Sequence, residues 1–190
     1  MKLEICDNPV KHYIIDDMVT AKFNLKILEN IIPLIPEMKD GLIGAFGIPI
    51  HQPKFKNNKN RWLGESDELY QIMEETAYTL YLNLKRKGTM LLSMYQEGGL
   101  YSWHKDTTDS MTLNYMISST PQKFEGGDFI LGNYEDIKYN KTIEFKNNRA
   151  IIFPSKAWHC VTPVTNFTGN TEDSRFTIQY WDQGHEAKVY

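Results

Sequence analysis

The chain changes character at Gly88, and that change constrains its fold more than any other feature. Before Gly88, helical signals dominate. Residues 20–32 carry apolar side chains at roughly helical spacing, and Pro33 and Pro36 are expected to stop them. Residues 66–87 form the stronger helical signal. Asp67 and Glu68 suit its first turn, Lys85, Arg86 and Lys87 its last, and Gly88 ends it. Leu69, Ile72, Met73, Thr76, Leu80 and Leu84 make a stripe that would pack on a sheet. After Gly88, short β-branched or aromatic runs follow one another at 90–95, 111–117, 128–131, 142–145, 150–153 and 175–181. Turn residues such as Gly98-Gly99, Gly126-Gly127 and Asn147-Asn148 separate them. Many short strands in succession predict a sandwich or barrel. The predicted fold is mainly β with supporting helices, the helices coming first.

Length and composition set the frame. With 190 residues the chain fits one domain with a real core. The expected division is helical support with a basic loop over 1–87, a β core over 88–182 and a tail over 183–190. Hydrophobic residues at 41% and charged residues at 24% exclude a disordered chain. A net charge of −3 gives no global reason to expect nucleic acid. Cys6 and Cys160 are too few for a disulfide framework. No run suits a signal peptide or a membrane span, so a cytoplasmic protein without a membrane partner is expected. The basic, Asn-rich stretch 54–62 reads as a solvated loop. Its functional alternative is a mobile lid touching an acidic or polar substrate.

The chemistry starts at His104-Lys105-Asp106. In a strand, residues two apart share a face, so imidazole and carboxylate would stand side by side. With five histidines and 24 acidic residues, such a match arises by chance with a probability of roughly one half. His159, after an apolar run and the Pro154 turn, strengthens the signal. Two imidazoles and a carboxylate make the facial triad of non-haem iron(II), with three positions left open. Taken singly, His159 could be a core histidine. Arg175 opens an alternating run whose inward residues would be Arg175, Thr177, Gln179 and Trp181. A buried arginine is costly unless an anion meets it, either a carboxylate ligand or an internal partner such as Glu144. His12, His51 and His185 have no partner at ligand spacing. Cys160 reads as a small buried hydrophobe.

These residues, in their order, resemble a known family. The order is His-x-Asp at 104–106, Phe-Glu-Gly-Gly-Asp-Phe at 124–129, Phe-Pro-Ser at 153–155, His-x-Val-x-Pro-Val at 159–164, and then Arg175 and Trp181. It looks like the prolyl 4-hydroxylase-like branch of the iron(II)- and 2-oxoglutarate-dependent dioxygenases, the small bacterial and phage type above all. The likeness spans about 90–181. It implies a double-stranded β-helix (jelly-roll) core packed against the N-terminal helices. It further implies iron ligands His104, Asp106 and His159, and Arg175 on the distal carboxylate of 2-oxoglutarate. Tyr95 would reach the cosubstrate, with a core strand aromatic as its other reading. Trp181 would close that pocket.

The activity implied is hydroxylation of an unactivated carbon, driven by dioxygen and oxidation of 2-oxoglutarate to succinate, with ascorbate as an accessory reductant. A carboxylate at Asp106, where a halogenase has a small residue, fits hydroxylation. A prolyl or other peptide residue is the first substrate expected, then a small metabolite or a nucleic-acid base. This sequence departs from the family in two places. The stretch 165–174 is longer than usual and is expected to form a loop near the site mouth. Asn114 and Met116 should face inward on their strand, where prolyl hydroxylases tend to place a tyrosine, while Tyr115 points away. Rival classes for the same residues are a zinc hydrolase and a non-catalytic jelly-roll module that binds metal or peptide.

Overall fold

In the computed structural model, which describes residues 1–40, 55–80, 88–106 and 110–181, strands begin well before Gly88. Strands β1 (Lys2–Cys6) and β2 (His12–Asp16) precede helix α1 (Ala21–Ile31); β3 (Lys39–Asp40) and β4 (Phe55–Leu63) precede α2 (Glu68–Leu80). The second half carries β5 (Thr89–His104), β6 (Met111–Ile117), β7 (Phe124–Gly126), β8 (Phe129–Gly132) and β9 (Asn140–Ile143). It continues with β10 (Arg149–Pro154), β11 (His159–Val161), β12 (Val164–Asn166) and β13 (Arg175–Trp181).

The pairing is antiparallel along the path β1-β2-β10-β6-β13-β5-β11-β8-β9, with β4 added to β5 and β3 to β4. The path curls on itself. Lys141 of β9, at one end, reaches Glu4 (3.2 Å) and Cys6 (3.0 Å) of β1 at the other. β5 turns the corner. Its first half pairs with β13 and β4, its last residues with β11, and the register against β4 shifts between Lys56 and Asn58. Gly98, at φ 69°, supplies the left-handed residue at this bulge. The result is the expected jelly roll with helices on one side.

Period-two alternation divides the core. Met90, Leu92, Met94, Phe176, Ile178 and Tyr180 face α1 and α2, which contribute Ile27, Ile31, Leu69 and Met73. Tyr95, Met116, Phe129, Phe153 and Val161 face the interior of the roll. Tyr115 points to the helix side as expected, its hydroxyl 2.7 Å from Asn24 Oδ1 and 2.9 Å from Asn148 Oδ1.

Several expectations need correction. Residues 55–63 are a strand, not a solvated loop: backbone pairing to β5 outweighs the poor strand propensity of asparagine. Pro33 and Pro36 do end the first α-helix as expected, at Ile31. They sit in a 3-10 turn, Ile32–Glu37, that continues from it. Gly98-Gly99 is a bulge within β5 rather than a turn between strands. In the stretch 165–174, Thr165 and Asn166 pair with β7, and the Asn166 N–H donates to Glu97 (2.5 Å) beside the bulge of β5. Residues 81–87, which include Leu84 and the three basic residues of the expected helix end, lie outside the described residues, as do His51, His185 and the tail from 182.

Candidate metal centre

His104 ends β5, and His159 opens β11, the next strand along the path. The two are direct partners across the β5–β11 ladder, so pairing alone sets the imidazoles side by side, with centroids 4.0 Å apart. Asp106 lies just past the end of β5 rather than in it, held there by its N–H donating to Ser155 O (3.0 Å). Asp106 Oδ1 is then 4.0 Å from His104 Nε2 and 3.8 Å from His159 Nε2. One ligand atom from each residue lies within 4.8 Å of the others.

The other nitrogen of each ring is accounted for. His104 Nδ1 is 2.8 Å from Ser102 O, and His159 Nδ1 is 2.9 Å from Ala157 O. A carbonyl can only accept, so Nδ1 carries the proton and the Nε2 lone pair is left for a metal. His159 is buried against Phe129 and Phe153, and this burial holds it toward the neutral, ligating form. Tyr101 stacks on His104 with centroids 3.5 Å apart. Asp106 is oriented from behind. Trp181 Nε1–H donates to its Oδ2 (2.7 Å), and the Thr112 hydroxyl donates to the same atom (3.2 Å). Thr112 in turn meets Ser155 Oγ (2.9 Å), whose hydroxyl donates to Ser110 O (2.7 Å). The indole N–H of Trp181 is thus engaged with the carboxylate, a place the family likeness did not give it. Thr112 and Ser110 carry no motif that sequence reading could have caught, and Ser155 was seen only as the end of Phe-Pro-Ser at 153–155.

Arg175 opens β13 opposite Tyr95 of β5 and is fully buried. Its Nε–H donates to Gly127 O (2.6 Å), but both terminal nitrogens are buried without partners. No Glu144 bridge forms, since Glu144 is exposed. Burial pushes the Arg175 pKa down to about 10, still far above neutrality, so the guanidinium is charged. Its carbon lies 4.6 Å from the centroid of the Tyr95 ring. The Tyr95 hydroxyl, among Asn58, Arg175 and Gln179, makes no formed hydrogen bond, and burial raises its pKa. A fully buried cation with two unused donors beside an unused hydroxyl is stable only if an anion completes it. The glycine pair makes room. Gly126 and Gly127 both hold left-handed φ, and a Cβ on Gly127 would lie 2.4 Å from Arg175 Cδ. The expected residues therefore gather on the interior face of the roll: two imidazoles and a carboxylate at one end, and a fully buried arginine beside a tyrosine at the other. This donor set fits iron(II) and a dicarboxylate. Among the described residues no other group of metal-ligating side chains comes together.

Residues 90–183 match the model of the 2OG-Fe(II) oxygenase superfamily. No curated protein matches the chain by sequence. Solved structures match over nearly its whole length. One is a prolyl hydroxylase from Trichoplax adhaerens in complex with a hypoxia-inducible-factor peptide, at TM-score 0.70 and 16% identity, over 90% of this chain and 83% of that one. Another is a prolyl-4-hydroxylase from Pseudomonas putida, at 0.64 and 12%, over 92% and 93%. A viral collagen prolyl hydroxylase from Paramecium bursaria Chlorella virus-1, in its 2OG complex, matches at 0.59 and 16%, over 94% and 98%.

Proposed function

The chain belongs to the 2OG-Fe(II) oxygenase superfamily, and we propose that it hydroxylates an unactivated carbon, that of a prolyl or other residue in a peptide. The general reaction follows from the family. The peptide substrate is supported by the fold likeness to prolyl hydroxylases, one of them solved with a peptide. In this reading His104 Nε2, Asp106 Oδ1 and His159 Nε2 hold iron(II), and Arg175 with Tyr95 holds the distal carboxylate of 2-oxoglutarate. When bound, the metal would let dioxygen act as the oxidant, one oxygen atom going to the hydroxylated carbon and the other to succinate as 2-oxoglutarate is oxidised and loses carbon dioxide.

The chain's own residues bind, orient and exclude water. Ser102 O and Ala157 O fix the imidazole tautomers. Trp181 and Thr112 fix the carboxylate, so that a metal meets it without reorganisation. The guanidinium supplies two parallel donors to a carboxylate, a bidentate match that lysine lacks. Phe129, Phe153 and Tyr101 close the apolar side of the metal centre.

The observation that carries this reading is the fully buried Arg175 with both terminal nitrogens unpartnered, opposite Tyr95 on the interior side of the roll that also carries the triad. Succinate formation from 2-oxoglutarate under air, with iron(II) and ascorbate, tests it. Wild type should turn over slowly even without its primary substrate. His104→Ala should abolish succinate formation, and Arg175→Ala should raise the 2-oxoglutarate KM about a hundredfold, the usual cost of unpairing a buried charge. Absence of succinate, together with no 2-oxoglutarate binding by the anaerobic iron(II) protein, would sink the reading.

A further inference from the structure

β4 lies outside the segment that matches the family, yet it extends the same interior, or chamber, face from β5. Its register against β5 sets Asn58 opposite Tyr95, Asn60 opposite Ser93 and Trp62 opposite Leu91. Side chains alternate, so Asn58, Asn60 and Trp62 stand on the chamber face, and Lys59, Arg61 and Leu63 on the helix face. The contacts agree. Leu63 belongs to the helix-side core, and Arg61 donates to Glu37 and Asp67, both at 2.9 Å. Trp62 instead meets Trp181, ring centroids 6.0 Å apart. Because the Trp181 N–H is committed to Asp106, the two indoles lead from the chain's surface to the candidate metal centre.

Two features of this wall are left incompletely satisfied among the described residues. Trp62 is 44% exposed, a large apolar ring on the same strand face as Asn58 and Asn60. Asn60 Oδ1 is buried with no hydrogen-bond partner, and so is Asn114 Oδ1. Asn114 stands in the same row as Trp62 across the sheet, through Leu91 and Gln179. Buried amide oxygens left unmade are costly, and a ligand that donates N–H would complete them. The described chamber face of β4 carries no charged group, and Arg61, on the other side, is paired with Glu37 and Asp67. An acidic or phosphate-bearing ligand finds no counter-charge on it. Alternating N–H donors and apolar side chains are instead what a peptide offers.

We propose that Asn60 and Trp62 form a docking subsite for an uncharged peptide segment. The Trp62 indole packs on an apolar side chain, and Asn60 Oδ1 accepts a hydrogen bond from a peptide N–H. The inference rests on the oxygenase reading above for its placement beside the reacting centre, and it replaces the acidic-partner reading of the basic stretch.

Fluorescence anisotropy would test it, with the anaerobic protein holding iron(II) and 2-oxoglutarate. The probes are end-blocked, uncharged, labelled proline-containing peptides and one labelled mixed-sequence single-stranded oligodeoxynucleotide. Peptide binding is expected, weakened about tenfold or more by Trp62→Ala, as for an aromatic anchor. Trp62→Phe should recover most of it, and Asn60→Ala should weaken it less than Trp62→Ala does. Lys59→Ala, on the same strand but the other face, should leave it unchanged. Binding of the oligonucleotide but not the peptides would overturn the proposal, as would absent peptide binding or peptide affinity indifferent to Trp62→Ala. Trp62-dependent peptide binding by a wild type that forms no succinate would instead sink the oxygenase reading and leave the docking subsite standing.

Discussion

The two faces of β5, β6 and β13 share one backbone and differ in how completely their polar atoms are satisfied. On the helix face, Met90, Leu92, Met94, Phe176 and Ile178 are buried against α1 and α2. Its polar atoms are matched: Tyr115 meets Asn24 and Asn148, and the Gly88 N–H donates to the Tyr180 hydroxyl (3.1 Å). On the chamber face, Arg175, Tyr95 and Asn114 stand one residue out of phase with these, each with a buried polar atom unpartnered. Alternation lets one strand do both tasks, since neighbouring residues point opposite ways. Stability accumulates where the polar atoms are satisfied, and binding capacity is kept where they are not.

That division can be broken most forcefully from the helix face. Ile178→Ala deletes a fully buried side chain between Thr177 and Gln179, which face the chamber. It should cost about 3 kcal/mol of stability, the usual price of such a cavity. Urea unfolding would measure the loss, and the 2-oxoglutarate KM of the folded fraction should stay within about twofold of wild type. A large rise in KM would mean that the faces are mechanically coupled and that the separation drawn here fails.

Gly127→Ala approaches from the chamber side with a smaller expected effect. The added Cβ would lie 2.4 Å from Arg175 Cδ, at a backbone φ of 69° that alanine tolerates poorly. The flexible arginine must yield, and its bond to Gly127 O with it. The 2-oxoglutarate KM should rise about tenfold, with the melting temperature lowered by only a few degrees. Unfolding as severe as that of Ile178→Ala would show that Gly127 serves the fold first and the cosubstrate second.

Sequence reading reached the residues whose chemistry is written in their type and order. His104, Asp106, His159 and Arg175 stand out by residue type, spacing and order along the chain, and the alternation of 175–181 is regular enough to place its inward face. It did not reach β4, because asparagine and lysine are poor strand formers and only the partner strand makes Asn58, Asn60 and Trp62 a wall. The period of that segment, asparagine at 58 and 60 and tryptophan at 62, was the available signal. β1 and β2 were missed for a related reason. Five-residue strands at the start of a chain carry too little pattern to stand out, and their pairing is with each other and with β10, far away in sequence. Trp181 was legible as a chamber residue, but its hydrogen bond to Asp106 depends on the loop that follows β5.

A second arginine sharpens the contrast at the smallest expected effect. Arg149 opens β10 and is saturated. Its Nε–H and Nη2–H donate to Asp16 Oδ1 (2.6 Å) and Oδ2 (3.1 Å), and its Nη1–H donates to Glu144 O (2.8 Å). Hydrogen bonding to Arg149, helped by Lys146, pulls the Asp16 pKa from 3.8 to about 2. A depressed carboxylate stabilises the fold above its unfolded pKa, and that contribution disappears as pH falls through the folded one. Asp16→Asn should therefore cost about 1 kcal/mol near neutrality, discounted for the partial exposure of the pair. The gap between variant and wild type should narrow between pH 4 and pH 2. Chemical denaturation across that range would measure it. A gap that does not change with pH would mean that the Arg149 pair acts by packing rather than charge. The difference between the two arginines would then lie in shape alone, not in Arg149 having a carboxylate partner where the terminal nitrogens of Arg175 have none.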